Sequence, residues 1–228
     1  MIGLLDSGMG GVVTANEIRK LSPGVDLTLL LDRKNAPYGK KSEGELLEIV
    51  SYNIERLMSL GASRVLLACC TASTVWDMLP EKFQRASIPI LTPTARRAVS
   101  VTKTGKIAVI ATEATVRSGK WTKLLYPYRI FEVGAQELVA LTESGACDGS
   151  VSEDARAIIR RVLSPLGKSG ADTLILGCTH FPLLEEEIKN TVKEYGIKKV
   201  VSSAKEGALE LLRRENPKEG SGRTVIIN

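Results

Sequence analysis

Eight short apolar runs recur along the chain, each leading into a stretch of helical periodicity, and this alternation limits the possible folds more than any other feature. The runs are Ile2 to Asp6, Leu27 to Asp32, Val65 to Cys69, Ile88 to Leu91, Ile107 to Ala111, Ile130 to Val133, Leu174 to Gly177 and Val200 to Ser202. Strands that are apolar without alternation bury both faces, so they belong to parallel sheets covered by helices. The intervening stretches carry apolar stripes. In one of them Ala155, Ile158, Ile159, Val162, Leu163 and Leu166 fall at helical spacing, with Ser152 as the expected cap and Glu153 and Asp154 as an acidic first turn. The expected class is α/β.

A long-range echo refines this reading. Gly61-Ala62-Ser63-Arg64-Val65-Leu66-Leu67-Ala68-Cys69 lies over Gly170-Ala171-Asp172-Thr173-Leu174-Ile175-Leu176-Gly177-Cys178, and both run Gly-Ala, strand, small residue, Cys. Gly3 to Asp6 matches Ala108 to Thr112 in the same way. The echo predicts two pseudo-symmetric Rossmann-like lobes with largely parallel sheets and an active site in the cleft between them. The boundary is expected near Thr92-Pro93-Thr94, giving one lobe of residues 1–92 plus 203–228 that carries Cys69, and a second of 93–202 that carries Cys178. The helix Lys205 to Arg214 and the strand Thr224 to Asn228 would rejoin the first lobe. Glu215 to Gly222 reads as a loop by composition.

Composition narrows the function. At 228 residues, 43% hydrophobic and 25% charged, the chain is that of a globular protein able to bury a core. The net charge of +5 is spread over scattered basic pairs, and aromatics are 4%, too few for base-stacking platforms. No nucleic-acid partner is therefore expected. No apolar run reaches the roughly 18 residues of a membrane span, and the segment starting Met1-Ile2-Gly3 lacks the basic region of a signal peptide. A cytoplasmic location and no membrane partner are expected. The cysteines Cys69, Cys70, Cys147 and Cys178 show no CxxC spacing, and there is one histidine, which argues against both a disulfide scaffold and a zinc site. No metal is expected.

Cys69 and Cys178 each end an apolar strand and precede a helix-like run, where N–H groups and the helix dipole favour thiolate. A single cysteine so placed reads first as a small buried hydrophobe. Two at equivalent positions read as chemistry. Asp6-Ser7-Gly8-Met9-Gly10-Gly11 is a strand-to-helix turn whose N–H groups suit an anion, but Val13 breaks the dinucleotide register GxGxxG. Asp6, costly at a strand end unless paired, suits a substrate ammonium or the tuning of a thiol. His180, next to the second cysteine turn, reads either as structural or as an aid to proton transfer. Cys147 has no neighbour in sequence to act with. Two opposed thiols define a reaction: one removes a proton from carbon and the other delivers one to the opposite face. That inverts a stereocentre.

Five motifs together resemble the glutamate racemases: Leu5-Asp6-Ser7-Gly8-Met9-Gly10-Gly11, Pro37-Tyr38-Gly39-Lys40-Lys41-Ser42, Ala68-Cys69-Cys70-Thr71-Ala72-Ser73, Thr112 to Gly119 and Leu176-Gly177-Cys178-Thr179-His180-Phe181-Pro182-Leu183-Leu184. The resemblance covers nearly the whole chain. It implies an isomerase without cofactor that interconverts L- and D-glutamate by two-thiol proton transfer, supplies D-glutamate for peptidoglycan and forms a homodimer. It makes Cys69 and Cys178 the catalytic pair, with Cys69 serving the D-enantiomer and Cys178 the L-enantiomer. Asp6 and His180 become their helpers. Ser7, Tyr38, Gly39, Cys70, Thr71 and Thr179, together with Asp6 and His180, become substrate-binding residues. Thr112, Thr115 and Glu143 are implied as further members.

This chain departs from the family pattern at Cys70, where the family has Asn, at Ser202, where it has Asp, and at Thr92, where it has Glu. A thiol gives weaker hydrogen bonds than an amide, and a lost bond to a charged ligand costs roughly 1.5–3 kcal/mol. Three alternatives therefore stand beside the glutamate reading. They are a racemase of aspartate or another small acidic substrate, a diverged amino-acid-binding protein without turnover, and a nucleotide-binding α/β protein with structural cysteines.

Overall fold

The computed structural model describes residues 1–145, 151–216 and 220–228. Cys147 and part of the 215–222 segment lie outside the described residues. The chain divides into two compact units, Met1–Pro93 with Ala204–Asn228, and Thr94–Ser203.

The first unit is built on strands β1 (Ile2–Asp6), β2 (Leu27–Leu31), β3 (Arg64–Leu67), β4 (Ser87–Pro89) and β9 (Thr224–Ile227), in the order β4-β3-β1-β2-β9. The second is built on β5 (Lys106–Ala111), β6 (Arg129–Gly134), β7 (Thr173–Gly177) and β8 (Lys199–Ser202), in the order β6-β5-β7-β8. All pairings are parallel. The expected α/β class with parallel sheets is what the chain adopts. The first four strands of each unit also share one order, with the third strand beside the first and the second and fourth flanking them. Cys69 and Cys178 both follow a third strand.

The buried sequence of the central strands explains the layering. β1, β2 and β7 are buried at every position, so helices must cover both faces. In the first unit the helix Glu43–Ser59 packs through Leu46, Val50, Ile54 and Leu57, which meet Leu5, Val65 and Leu67 in one cluster. Its start is fixed by a capping box, in which Ser42 accepts from the Glu45 N–H and the Glu45 carboxylate accepts from Ser42. In the second unit the expected cap forms, with Ser152 Oγ accepting from the Ala155 N–H at 3.2 Å. That helix, Glu153–Leu163, buries Ala155, Ile159, Val162 and Leu163. Leu166 is buried from the following 3-10 turn instead. No helix of the described residues is long and apolar enough to cross a membrane.

Candidate active site

The Cys69 region of the first unit forms because β1 and β3 are neighbours. Leu5 pairs with Leu67, and the Ala68 N–H donates to Leu5 O at 2.9 Å, so Cys69 leaves the sheet beside Asp6. Asp6 is buried, and its Oδ1 accepts the Gly8 N–H at 2.8 Å. The helix Gly10–Leu21 lies close behind. A Cβ on Gly11 would come within 2.7 Å of the Asp6 Cβ, so only glycine lets that helix approach the strand end. Ser7 Oγ lies 3.9 Å from Cys69 Sγ. The turn after Cys69 becomes the short helix Cys70–Ser73, within which Cys70 and Thr71 are buried. It is clipped to the sheet by Ser73 Oγ, which donates to Leu67 O at 3.1 Å and accepts from the Ile90 N–H at 3.1 Å.

Here the sequence expectation of a ready thiolate fails. Burial first, and the negative charge of Asp6 second, push the Cys69 thiol up to about 12, against the opposing N–H groups of Ala72 and Thr71 and the Ser7 hydroxyl. A helix of four residues supplies too little dipole to outweigh the loss of solvent. Cys69 therefore rests as a thiol.

Tyr38 and Gly39 open a 3-10 turn, Tyr38–Lys40, and Tyr38 is buried in the cluster that contains Cys69. The phenol is committed: it donates to Asp32 Oδ2 at 2.8 Å. Burial, then the charge of Asp32, keep it protonated, with Cys69 and Asp6 adding to the same effect. Gly39, half-buried, has no side chain to offer, so this segment contributes backbone and ring rather than a hydroxyl.

The Cys178 region of the second unit repeats the plan with different neighbours. Ala111 pairs with Gly177, so Thr112 stands beside Cys178 as Ser7 stands beside Cys69. Thr112 caps the helix Glu113–Arg117, accepting from the Thr115 N–H at 3.2 Å, and its Oγ1 lies 2.9 Å from Thr115 Oγ1. Cys178, Thr179 and His180 are buried, and Cys178 Sγ lies 3.5 Å from His180 Nδ1. The chain then enters the 3-10 turn Phe181–Leu184, with Pro182 in its first positions. Ser202 is buried at the end of β8 and pairs with Leu176.

His180 Nε2 is buried and lies 3.5 Å from Glu143 Oε1 without hydrogen-bond geometry. Glu143, last residue of the helix Gln136–Glu143, is itself well exposed. Burial lowers the histidine below its ordinary 6.5, and Glu143 raises it by less. The imidazole is thus neutral at pH 7, able to take a proton from a thiol or return one. Because the folded value lies below the unfolded one, the stability this neutral ring contributes is present above pH 6.5 and lost as pH falls through the folded value. With one histidine in the chain, a proton NMR titration reads it directly. The midpoint is expected below 6.5 and lower again in Glu143→Gln; a midpoint above 6.5 would mean that the Glu143 pair, and not burial, governs the ring.

Two thiols thus follow equivalent strands, one beside a carboxylate and one beside an imidazole. A family model described as Asp/Glu/Hydantoin racemase matches residues 30–211. The chain belongs to this family. It is 36% identical over 238 aligned positions to a glutamate racemase of Desulforudis audaxviator, covering 99% of this chain and 86% of that protein. Among solved structures, glutamate racemase isoform RacE1 of Bacillus anthracis superposes with a TM-score of 0.86 at 32% identity, covering 99% of this chain and 86% of that one. An Escherichia coli glutamate racemase in complex with L-glutamate and the activator UDP-MurNAc-ala matches with a TM-score of 0.75 at 28% identity, covering 100% and 89%.

Two features of this racemase-family chain lie outside the motifs of its sequence. Asp32, next after β2, is buried and accepts from Asn35, Tyr38 and Asn53. Its signal was an acid closing an apolar run, as at Asp6. Trp121 is wholly buried, and its Nε1 approaches Gly177, with no hydrogen-bond partner. Nothing in the spacing of Trp121 announces that contact.

Proposed function

We propose that this chain interconverts L- and D-glutamate without a cofactor, with Cys69 and Cys178 as the two acid–base groups. A thiolate on one side takes the α-proton, so that a C–H bond breaks and an S–H bond forms. The carbanion then takes the proton of the opposite thiol, leaving that sulfur as thiolate. No atom is gained or lost. Cys69 serves the D-enantiomer and Cys178 the L-enantiomer on this reading, with Asp6 and His180 as the respective helpers. Ser7, the Tyr38-Gly39 turn, Cys70, Thr71 and Thr179 hold the substrate. The product D-glutamate serves peptidoglycan, and the enzyme works as a cytoplasmic homodimer.

The observation that carries the reading is the pairing of each thiol with its own proton-handling neighbour after the same strand of each unit. The high resting value of Cys69 fits the task. A weakly acidic thiol yields a strong base once ionised, as abstraction from carbon requires. An amino-acid ammonium brought near Asp6 offsets the carboxylate charge that helps hold the thiol protonated.

The test is the α-proton NMR signal of L-glutamate, and separately of L-aspartate, incubated with reduced protein in D2O. The glutamate signal is expected to vanish, with D-glutamate appearing alongside. Exchange of aspartate alone would transfer the mechanism to that substrate. Binding of either acid without exchange would replace the racemase by a binding protein.

A further inference from the structure

We infer that Asp32 is a positioning residue for the Cys69 half-site, holding the Tyr38-Gly39 turn in place through hydrogen bonds from neutral donors. The argument rests on the proposed racemase reading only for its kinetic part. Asp32 is 6% exposed, and its two oxygens gather donors from three separate stretches of chain. Tyr38 Oη donates to Oδ2 at 2.8 Å, Asn53 Nδ2 donates to Oδ2 at 2.8 Å, and Asn35 Nδ2 lies 2.9 Å from each oxygen. The Asn35 N–H adds a long bond of 3.4 Å to Oδ1. Asn53 Nδ2 also reaches Tyr38 Oη at 3.4 Å. All these partners are neutral, and among the described residues no Lys, Arg or His forms an ion pair with Asp32.

A buried carboxylate without a countercharge is costly to keep. A leucine would fill the space more cheaply if filling were all that was needed. What the carboxylate supplies, and an apolar side chain does not, is a set of acceptors that fixes three elements against one another. These are the end of β2, the turn Tyr38–Lys40 and the helix Glu43–Ser59, which carries Asn53. Tyr38 in turn packs in the cluster with Cys69 and Ala72. Moving Asp32 therefore moves the ring and the Gly39 backbone relative to the thiol. Asp32, with Asn35 and Asn53, also walls a cavity of about 620 Å³ that Lys34, Glu48 and Arg56 line.

The test compares Asp32→Ala, Asp32→Asn and Tyr38→Phe in the full chain, first by iodoacetamide alkylation of Cys69 and Cys178 with peptide mapping. This readout needs no turnover. Asp32→Ala is expected to raise the Cys69 rate by about tenfold, the scale of one lost hydrogen bond to a charged group, and to leave Cys178 as it was. Asp32→Asn, which keeps one acceptor oxygen, stays within about threefold of the parent, a loss of less than one neutral hydrogen bond. Where glutamate turns over, Asp32→Ala loses about tenfold in kcat/KM, carried by KM. Should Asp32→Ala fail to fold, Tyr38→Phe decides, since it removes the hydroxyl alone and is expected to speed Cys69 and spare Cys178. Equal rates at Cys69 in parent and folded variant, or parallel changes at both cysteines, would overturn the assignment. Absence of turnover in the parent would count against the racemase reading and leave the alkylation result standing.

Discussion

Changing Cys69 or Cys178 to Ser is expected to lower racemisation of glutamate by roughly 10²–10⁴-fold, the usual weight of a positioned acid or base. A hydroxyl is a far weaker acid than a thiol, so it neither ionises to act as base nor yields its proton to a carbanion at a useful rate. Each loss corresponds to about 3–5 kcal/mol of barrier. The two variants are expected to differ in what survives. With Cys69→Ser, Cys178 remains able to remove the α-proton of L-glutamate and to return a deuteron to the same face. L-Glutamate in D2O then loses its α-proton signal while its chirality persists. With Cys178→Ser the same exchange survives for D-glutamate. Proton NMR together with chiral chromatography separates exchange from inversion. If either variant inverts glutamate at the parental rate, that thiol is no part of the acid–base pair.

How far sequence alone reached depended on whether the deciding interactions were local. Strands such as Leu27–Leu31 and Thr173–Gly177 were legible because burial on both faces leaves no room for polar residues. Ser152 was legible as a cap because its partner, the Ala155 N–H, lies within one turn. The apolar run extends to Cys69, but β3 ends at Leu67, because the chain turns out of the sheet to start the helix Cys70–Ser73. The thiolate expected at Cys69 was wrong for a reason no local pattern carries. The dipole argument is local, whereas the burial and the neighbouring Asp6 that defeat it come from a strand more than sixty residues away. Tyr38 shows the same limit. The motif marked it as a substrate residue, but only the packed helix Glu43–Ser59 brings Asn53 to Asp32 and shows where the phenol is spent. The equal strand order of the two units fits the echo between Gly61–Cys69 and Gly170–Cys178, since a repeat of sequence carries its topology with it.

Gly177→Ala is expected to be the most damaging single methyl addition in the second unit. A Cβ there would sit 2.8 Å from the carbonyl oxygen of Ile110, 3.0 Å from Trp121 Nε1 and 3.2 Å from Ala111 Cβ. The first of these is backbone of the neighbouring strand and cannot swing aside, and the indole is wholly buried in an interior that packs closely. Overpacking of this kind costs roughly 1–3 kcal/mol, and for a chain of this size each kcal/mol lowers Tm by about 2–4 °C. Because Gly177 pairs with Ala111 and immediately precedes Cys178, the strain falls on the joint that aims the thiol. Hydrogen exchange of β5 and β7 amides is therefore expected to speed up, and turnover to fall more than stability does. Gly44→Ala is the control: nothing lies within 4 Å of a Cβ there, and alanine in a helix gains up to about 1 kcal/mol over glycine. If Gly177→Ala melts with the parent and keeps its exchange rates, the close contact between Trp121 and the β7 end does not hold the Cys178 turn in place.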